Sequence, residues 1–221
     1  MAPYTTDVVS AQKKYPSGTL AEQFVTPAEC LTRIDQPGKQ PMARWSTLLW
    51  FSIAQGALTR GGIQAGQIVA VTGATGGLGG CAILLALAAG ASKVVALGRN
   101  KTTLQRLSSI DARVVPVLLT PDEAPLQSLQ AALDGKQLDL AIDSMGQADS
   151  PDITLACISS LRRRGILVLV GSMTCPLPIN HGSRVKRTAG VGCRRLVQEG
   201  IGDQRFIHVE QGDPRGLDPP D

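Results

Sequence analysis

Aromatic residues are scarce in this chain. Phenylalanine, tyrosine and tryptophan make up 3% of its 221 residues, whereas hydrophobic residues as a whole reach 43%. A buried core must therefore be built from valine, leucine, isoleucine and alanine. An aliphatic core of this kind is typical of a parallel sheet covered on both faces by helices. The length suits one ordinary domain with additional segments.

The chain also lacks the paired ligands from which zinc sites are built. Its five cysteines (Cys30, Cys81, Cys157, Cys175 and Cys193) are widely spaced, and none belongs to a Cys-x-x-Cys pair. The two histidines are His181 and His208. We therefore predict reduced thiols and no bound zinc. We interpret His181 as a surface residue, because the sequence places no partner acid or serine beside it.

Long apolar runs and clusters of one charge are absent as well. The longest apolar run, Cys81–Ala91, is too short to span a bilayer, and the N-terminus has no apolar segment like that of a signal peptide. The net charge of +4 is scattered along the chain. These features predict a cytoplasmic protein that binds neither membranes nor nucleic acid.

Glycine, in contrast, is concentrated at one informative place. A short apolar run, Ile68–Val71, is followed by Thr72-Gly-Ala-Thr-Gly-Gly-Leu-Gly79 and then by an alanine-rich apolar segment. This order predicts a buried strand, a tight turn and a helix. The N–H groups of Gly76, Gly77, Leu78 and Gly79 would face a pyrophosphate, and Gly73 would allow the sharp turn. The alternative is a turn that only permits close packing of the helix on the sheet.

The end of the next strand predicts which dinucleotide is bound. An NAD-binding site usually has an acidic residue here, about twenty residues after the glycines, to accept from the ribose hydroxyls. This chain has Gly98, Arg99 and Asn100 instead. Arginine can pair with a 2′-phosphate, so the segment favours NADP, with NAD as the alternative. Arg99 could otherwise be a solvated loop charge.

Strands and helices alternate from residue 66 to residue 173, which predicts an α/β fold with a Rossmann-type, doubly wound parallel sheet. The predicted strands after Ile68–Val71 are Lys93–Leu97, Arg113–Leu119, Leu138–Ile142 and Ile166–Val170. The predicted helices are Lys101–Ile110, Pro121–Leu133 and Pro151–Arg164, the last of them capped by Gly165. In the strand order 3-2-1-4-5-6, the third strand lies at the sheet edge, where Pro116 is tolerated. Asp143 and Ser144 follow the fourth strand beside the crevice where cofactors bind, although Asp143 could equally cap a turn.

The two flanks of this region do not share its rhythm. Residues 1–42 are rich in proline and are interpreted as a linker and a domain remnant, whereas residues 43–180 form the dinucleotide-binding domain. Residues 181–221 are predicted to be irregular, with strand character at Phe206–Val209 and disorder over residues 211–220.

Three segments, in this order, resemble the cofactor-binding half of zinc-type alcohol dehydrogenases of the medium-chain dehydrogenase/reductase superfamily. Gly18–Leu31 resembles the end of the family's GroES-like catalytic barrel, Ala43–Gly62 the helix that leads into the cofactor domain, and Gly66–Gly79 the nucleotide-binding turn. The similarity covers roughly residues 18–180. It implies that most of the catalytic domain, with its zinc ligands, is absent, so we interpret the chain as a fragment, a splice form or the result of an error in the gene model.

The resemblance implies an oxidoreductase that transfers a hydride between a nicotinamide dinucleotide and an alcohol or carbonyl substrate. It assigns Gly171, Ser172 and Met173 to the loop on the nicotinamide side. Zinc would belong to the missing domain, so this chain is assigned no catalytic and no metal-binding residues. The altered tail replaces the family's sixth, dimerising strand, which argues against a homo-oligomer. A non-catalytic dinucleotide-binding or interaction module derived from such an enzyme is the alternative.

A second family shares the glycine pattern. Thr-Gly-x-x-x-Gly-x-Gly also occurs in short-chain dehydrogenases, which use a tyrosine with a lysine four residues later. The two tyrosines here, Tyr4 and Tyr15, both precede the glycine turn. We therefore reject the short-chain interpretation.

Overall fold

The computed structural model describes residues 14, 23, 25–28, 31–33, 38, 41–146, 148, 150–171, 175–178, 189–195 and 205–210. The chain divides into two units, Met1–Pro41 and Met42–Asp221. In the first unit, the backbone N–H of Leu31 donates to the carbonyl of Ala28 in a short turn. Most of the segment that resembles the end of a catalytic barrel lies outside the described residues, so that assignment stays a prediction.

The second unit contains the alternating helices and strands. Helix α1 is Met42–Trp45, α2 is Leu48–Arg60, α3 is Gly77–Ala88, α4 is Lys101–Ser108, α5 is Pro125–Leu133 and α6 is Asp152–Ser160. Strand β1 is Ile68–Thr72, β2 is Lys93–Gly98, β3 is Val114–Leu118, β4 is Leu138–Asp143, β5 is Leu161–Leu169, β6 is Ala189–Arg195 and β7 is Arg205–Glu210.

Strands β1 to β5 form one parallel sheet in the order β3-β2-β1-β4-β5. The central strand β1 pairs with β2 and β4, so that Ala70 lies between Val95 and Ala141. Strand β3 lies at the edge, and Pro116 in its middle is exposed. Proline is tolerated there because no further strand needs its missing N–H. The Rossmann-type parallel sheet predicted from the sequence is confirmed.

Two aliphatic clusters fill the space between the sheet and its helices. One contains α2, α3 and α4 residues such as Ala57, Ala82 and Leu104 packed on one face. The other contains Leu129 of α5 and Cys157 of α6 on the opposite face. Small alanines let the helices approach the sheet closely, which accounts for a core with so few aromatic residues.

The predicted boundaries are wrong at two helices. The helix predicted from Pro121 begins at Pro125, because residues 121–124 form a turn and an extended residue before it. The helix predicted to run to Arg164 ends at Ser160, and Gly165 lies inside β5 rather than at a helix cap.

A bulge explains the early start of β5. Leu161 pairs with Leu138, but the next paired residues are Ile166 and Leu140, so β5 has more residues than β4 along this stretch. Arg164 adopts a left-handed conformation with φ of 62°. The Arg162 guanidinium also forms an ion pair with Asp139 of β4, with 2.5 Å between Nε and Oδ1. The basic run Arg162–Arg164, which resembles the last turn of a helix, is therefore part of the sheet.

The C-terminal part contains a separate antiparallel pair, β6 and β7. The strand predicted at Phe206–Val209 is confirmed within β7, whereas β6 was not predicted because its glycine-rich sequence has no apolar alternation. Residues 211–220, for which disorder is predicted, lie outside the described residues. Among the helices that the structure describes, none combines the length and apolar character needed to cross a membrane.

Candidate functional site

The glycine turn joins β1 to α3 at the carboxyl edge of the sheet. Gly73 has φ of +64°, a conformation that side chains other than glycine disfavour. A Cβ on Gly73 would also lie 2.9 Å from the carbonyl oxygen of Ser144, in the turn after β4. Both the conformation and the close approach of β4 therefore require glycine at this position.

The first turn of α3 presents uncapped N–H groups. Gly76 is the N-cap residue, it offers no side chain to the helix, and no acidic residue lies in the first turn. Gly76 and Gly77 are exposed, and Leu78 is half-buried. Because the first N–H groups of a helix have no partner within it, this end of α3 carries unsatisfied donors and the positive end of the helix dipole.

Gly79 has a different role in the same turn. It is buried, and a Cβ there would collide with the backbone carbonyl of Gly73. Gly79 therefore sets how closely α3 packs against the turn that precedes it. The structure supports the packing interpretation for Gly79 and leaves the exposed Gly76 and Gly77 facing solvent.

The end of β2 lies beside this turn. The backbone N–H of Ala74 donates to the carbonyl of Leu97 at 3.0 Å, which ties the two loops together. Gly98 is buried, and Arg99 and Asn100 are exposed. The side-chain oxygen of Asn100 accepts a hydrogen bond from the backbone N–H of Thr103 at 3.0 Å and caps α4. In the part of the chain that the structure describes, the Arg99 guanidinium makes no hydrogen bond or ion pair.

The buried carboxylate of Asp143, at the end of β4, has several partners. It accepts hydrogen bonds from the hydroxyls of Thr72, at 2.8 Å, and Thr154, at 2.5 Å. It also accepts from the backbone N–H of Met145 at 3.2 Å. Asp143 therefore caps the turn after β4, as one of the two sequence interpretations proposed, and additionally connects β1 and α6. Contact between Asp143 and a cofactor stays a prediction.

Ser144 and Gly171 complete the carboxyl edge of the sheet. The Ser144 hydroxyl donates to the carbonyl of Thr72 at 2.6 Å. The N–H of Gly171 donates to the carbonyl of Asp143 at 2.9 Å, and a Cβ at Gly171 would collide with the carbonyl of Met145. Ser172 and Met173, which were predicted to line the nicotinamide side, lie outside the described residues.

The structure thus brings together the predicted residues from Gly73 to Gly79, from Gly98 to Asn100, and Asp143, Ser144 and Gly171. Sequence reasoning missed Thr72 and Thr154, whose hydroxyls bind Asp143, and it assigned no role to Thr75. Thr154 lies eleven residues after Asp143 on a helix, so no local pattern connects them. Thr72 is the last residue of β1 and Thr75 lies in the glycine turn, so their position next to the glycines was the available signal.

Cys157 lies on the buried side of this edge. Burial raises the pKa of its thiol far above the ordinary value, and the nearby charge of Asp143 raises the pKa further. Both effects disfavour the thiolate, which is the nucleophilic form of cysteine. Among the described residues, no group of three or more His, Cys, Asp and Glu side chains could hold a metal ion.

A five-stranded parallel sheet with a glycine turn at the N-terminus of a helix defines the class of Rossmann-type dinucleotide-binding folds. The family model for zinc-binding dehydrogenases matches residues 77–197, more than half of the chain. The chain therefore belongs to the zinc-binding dehydrogenase family. No curated protein matches the chain significantly.

Solved structures of proteins from the alcohol dehydrogenase superfamily are similar to the chain. An alcohol dehydrogenase from Thermus sp. ATN1 is 27% identical with a TM-score of 0.58, and the match covers 69% of this chain and 43% of that one. An alcohol dehydrogenase superfamily protein from Novosphingobium aromaticivorans is 30% identical with a TM-score of 0.52, over 64% of this chain and 41% of that one. The 2R,3R-butanediol dehydrogenase from Bacillus subtilis is 22% identical with a TM-score of 0.54, over 67% and 41% of the two chains, and shows the fold alone. The chain thus spans less than half the length of these proteins.

Proposed function

We propose that this chain binds NADPH in preference to NADH as the cofactor domain of an alcohol dehydrogenase-type oxidoreductase. The observation that carries the proposal is the N-terminus of α3, where Gly76 and Gly77 are exposed and no side chain caps the helix. A pyrophosphate there would accept hydrogen bonds from the N–H groups of Gly77, Leu78 and Gly79, which have no partner within the helix. The N–H of Gly76 already donates to the carbonyl of Gly73 at 2.9 Å. The residues present therefore fit a dinucleotide.

The charge distribution around α4 favours a phosphorylated ribose. Arg99 and Lys101 flank the N-cap residue Asn100, and the first turn of α4 contains no acidic residue. Basic residues at a helix N-terminus oppose the helix dipole, so this arrangement is unfavourable until an anion binds. A 2′-phosphate would supply that anion, and Arg99 would pair with it.

A bound nicotinamide would supply hydride transfer to or from an alcohol or carbonyl substrate. In this proposal, the protein contributes the donors of the α3 N-terminus, the Arg99 side chain and the edge formed by Asp143, Ser144 and Gly171. The described residues do not form a zinc site. A cytoplasmic location is proposed with this activity.

A second candidate function is a dinucleotide-binding module without catalysis. The residues assigned here are all proposed as cofactor contacts, so the same site supports both candidates. Cofactor titration cannot separate them. Turnover of a panel of alcohols and aldehydes, followed by absorbance of the reduced nicotinamide, would favour the oxidoreductase, and binding without turnover would favour the module.

A charge placed at Gly77 tests the pyrophosphate site. A Cβ at Gly77 would make an ordinary contact of 3.6 Å with the Trp50 indole, so a side chain fits. Gly77→Asp should stabilise the fold slightly, because a carboxylate is favourable in the first turn of a helix. The same carboxylate would repel a pyrophosphate, so NADPH affinity measured by calorimetry should fall at least tenfold, about 1.4 kcal/mol.

Gly77→Ala is the matched control, because it adds the Cβ without the charge. It should retain most of the NADPH affinity. Equal affinity in the wild-type protein and Gly77→Asp would contradict a pyrophosphate at this helix end. A loss in Gly77→Ala as large as that in Gly77→Asp would indicate a steric effect instead of charge repulsion.

A second titration tests the choice of dinucleotide. Arg99→Ala should weaken NADPH binding by about 1.5–3 kcal/mol, the range for a hydrogen bond to a charged group, and leave NADH binding nearly unchanged. Salt should reduce the difference if solvent reaches the pair. Arg106→Ala is the control, because Arg106 is exposed in the last turn of the same helix. Equal binding of both cofactors by the wild-type protein would contradict the proposal.

A further inference from the structure

Thr75 lies directly over the end of β2, where dinucleotide-binding folds read the ribose. A Cβ built on Gly98 would lie 2.6 Å from Cγ2 of Thr75 and 3.3 Å from its Oγ1. The third neighbour, Cδ2 of Leu104, is at an ordinary distance of 3.5 Å. The methyl group of Thr75 therefore fills the space that any side chain at residue 98 would need.

The backbone on both sides of this contact is held in place. The N–H of Ala74, next to Thr75, donates to the carbonyl of Leu97 at 3.0 Å. The carbonyl of Gly98 accepts from the N–H of Leu119 at 2.8 Å. Neither the segment at Ala74 nor the end of β2 at Gly98 can move away from the contact without breaking one of these hydrogen bonds. Relief of the contact must come from the Thr75 side chain, which is stiff because it branches at Cβ.

We propose that Thr75 is a specificity-determining residue of the dinucleotide site. Its methyl group excludes an acidic side chain from position 98, the residue type that would accept from the ribose hydroxyls of NADH. The pair of Thr75 and Gly98 therefore keeps out a carboxylate that would repel a 2′-phosphate, and it leaves Arg99 as the charged side chain next to Gly98. This inference rests on the proposed function, because it concerns the choice between the two dinucleotides at the same site.

A stability cycle tests the contact without any cofactor. Gly98→Ala should lower the urea midpoint of the wild-type protein, because the new Cβ meets the Thr75 methyl. Thr75→Ser removes that methyl and keeps the hydroxyl, so Gly98→Ala should be tolerated much better in the Thr75→Ser background. An equal loss from Gly98→Ala in both backgrounds would overturn the inference.

Calorimetry with both dinucleotides tests the consequence for specificity. Gly98→Asp alone should gain no NADH affinity, whereas Gly98→Asp with Thr75→Ser should bind NADH at least about tenfold more tightly than Gly98→Asp, a gain typical of one hydrogen bond to a charged group. An equal NADH gain in Gly98→Asp alone would overturn the inference. A wild-type protein that binds neither dinucleotide would instead overturn the proposed function, and the specificity role with it.

Discussion

Gly79 and Gly80 offer a direct test of how α3 packs, because they are neighbours in the same helix turn with opposite surroundings. A Cβ on Gly79 would collide with the backbone carbonyl of Gly73, whereas a Cβ on Gly80 would meet nothing within 4 Å. Alanine at either position has the same intrinsic effect on the helix. The difference in free energy of unfolding between Gly79→Ala and Gly80→Ala therefore isolates the collision.

The magnitudes follow from two terms. Replacing glycine with alanine within a helix stabilises it by up to about 0.8–1.0 kcal/mol, so Gly80→Ala should raise the free energy of unfolding. Gly79→Ala has the same gain but overpacks the contact with Gly73, which costs about 1–3 kcal/mol. Because the neighbour is backbone and cannot rotate away, we expect a value near the upper end. Gly79→Ala should therefore be less stable than Gly80→Ala by about 2–3 kcal/mol.

Urea unfolding followed by circular dichroism at 222 nm would measure both variants, with the wild-type protein as the reference. The slope of the transition should stay unchanged, so that a shift of the midpoint reports stability alone. Equal stability of Gly79→Ala and Gly80→Ala would refute the packing argument. It would mean that α3 lies further from the glycine turn than the structure shows.

Three further predictions concern residues away from the glycine turn. The hydrogen bonds from Arg113 lower the pKa of Asp111 to about 2, so the stability that they contribute should be present above pH 4 and lost as the pH falls toward 2. The thermal midpoint should therefore fall less steeply between pH 4 and pH 2 in Asp111→Asn than in the wild-type protein, whereas the exposed control Asp122→Asn should behave like the wild-type protein. Cys157 should react with iodoacetamide only after unfolding, because burial raises its pKa; peptide mapping that finds it labelled in native protein would contradict this. The buried hydroxyl of Ser160 has no hydrogen-bond partner in the described part of the chain, so Ser160→Ala should raise the free energy of unfolding by up to about 1 kcal/mol. A clearly lower free energy of unfolding, measured with urea, would indicate that the hydroxyl does have a partner.

The strands of the parallel sheet could be predicted from the sequence because their signals are local, and their order then followed from the Rossmann-type fold that they imply. Apolar runs such as Ile68–Val71 are short, the glycines come directly after the first run, and Pro116 favours an edge strand. Each of these features restricts the backbone within a few residues. The structure confirms the sheet that they imply.

The boundary between α6 and β5 could not be predicted in the same way. Arg162, Arg163 and Arg164 before Gly165 have the composition of a helix end, where basic residues and glycine are favourable. The structure places them in β5 because Arg162 pairs with Asp139 on the neighbouring strand. Asp139 also accepts from the backbone N–H of Ile68 at 2.7 Å. These contacts join residues that are far apart in sequence, so the local pattern carries no sign of them.

The candidate site shows the same division between local and distant signals. The absence of an acid at the end of β2 is visible in the sequence at Gly98, and it predicts the choice of dinucleotide. An acid cannot simply be added at residue 98 because the methyl group of Thr75 occupies the space that it needs. Thr75 comes after strand β1, and it lies over Gly98 only because β1 and β2 pair in register. A design that changes residue 98 alone would therefore add the acceptor for the ribose and a collision together. Changing Thr75 at the same time removes the collision and lets the acceptor act.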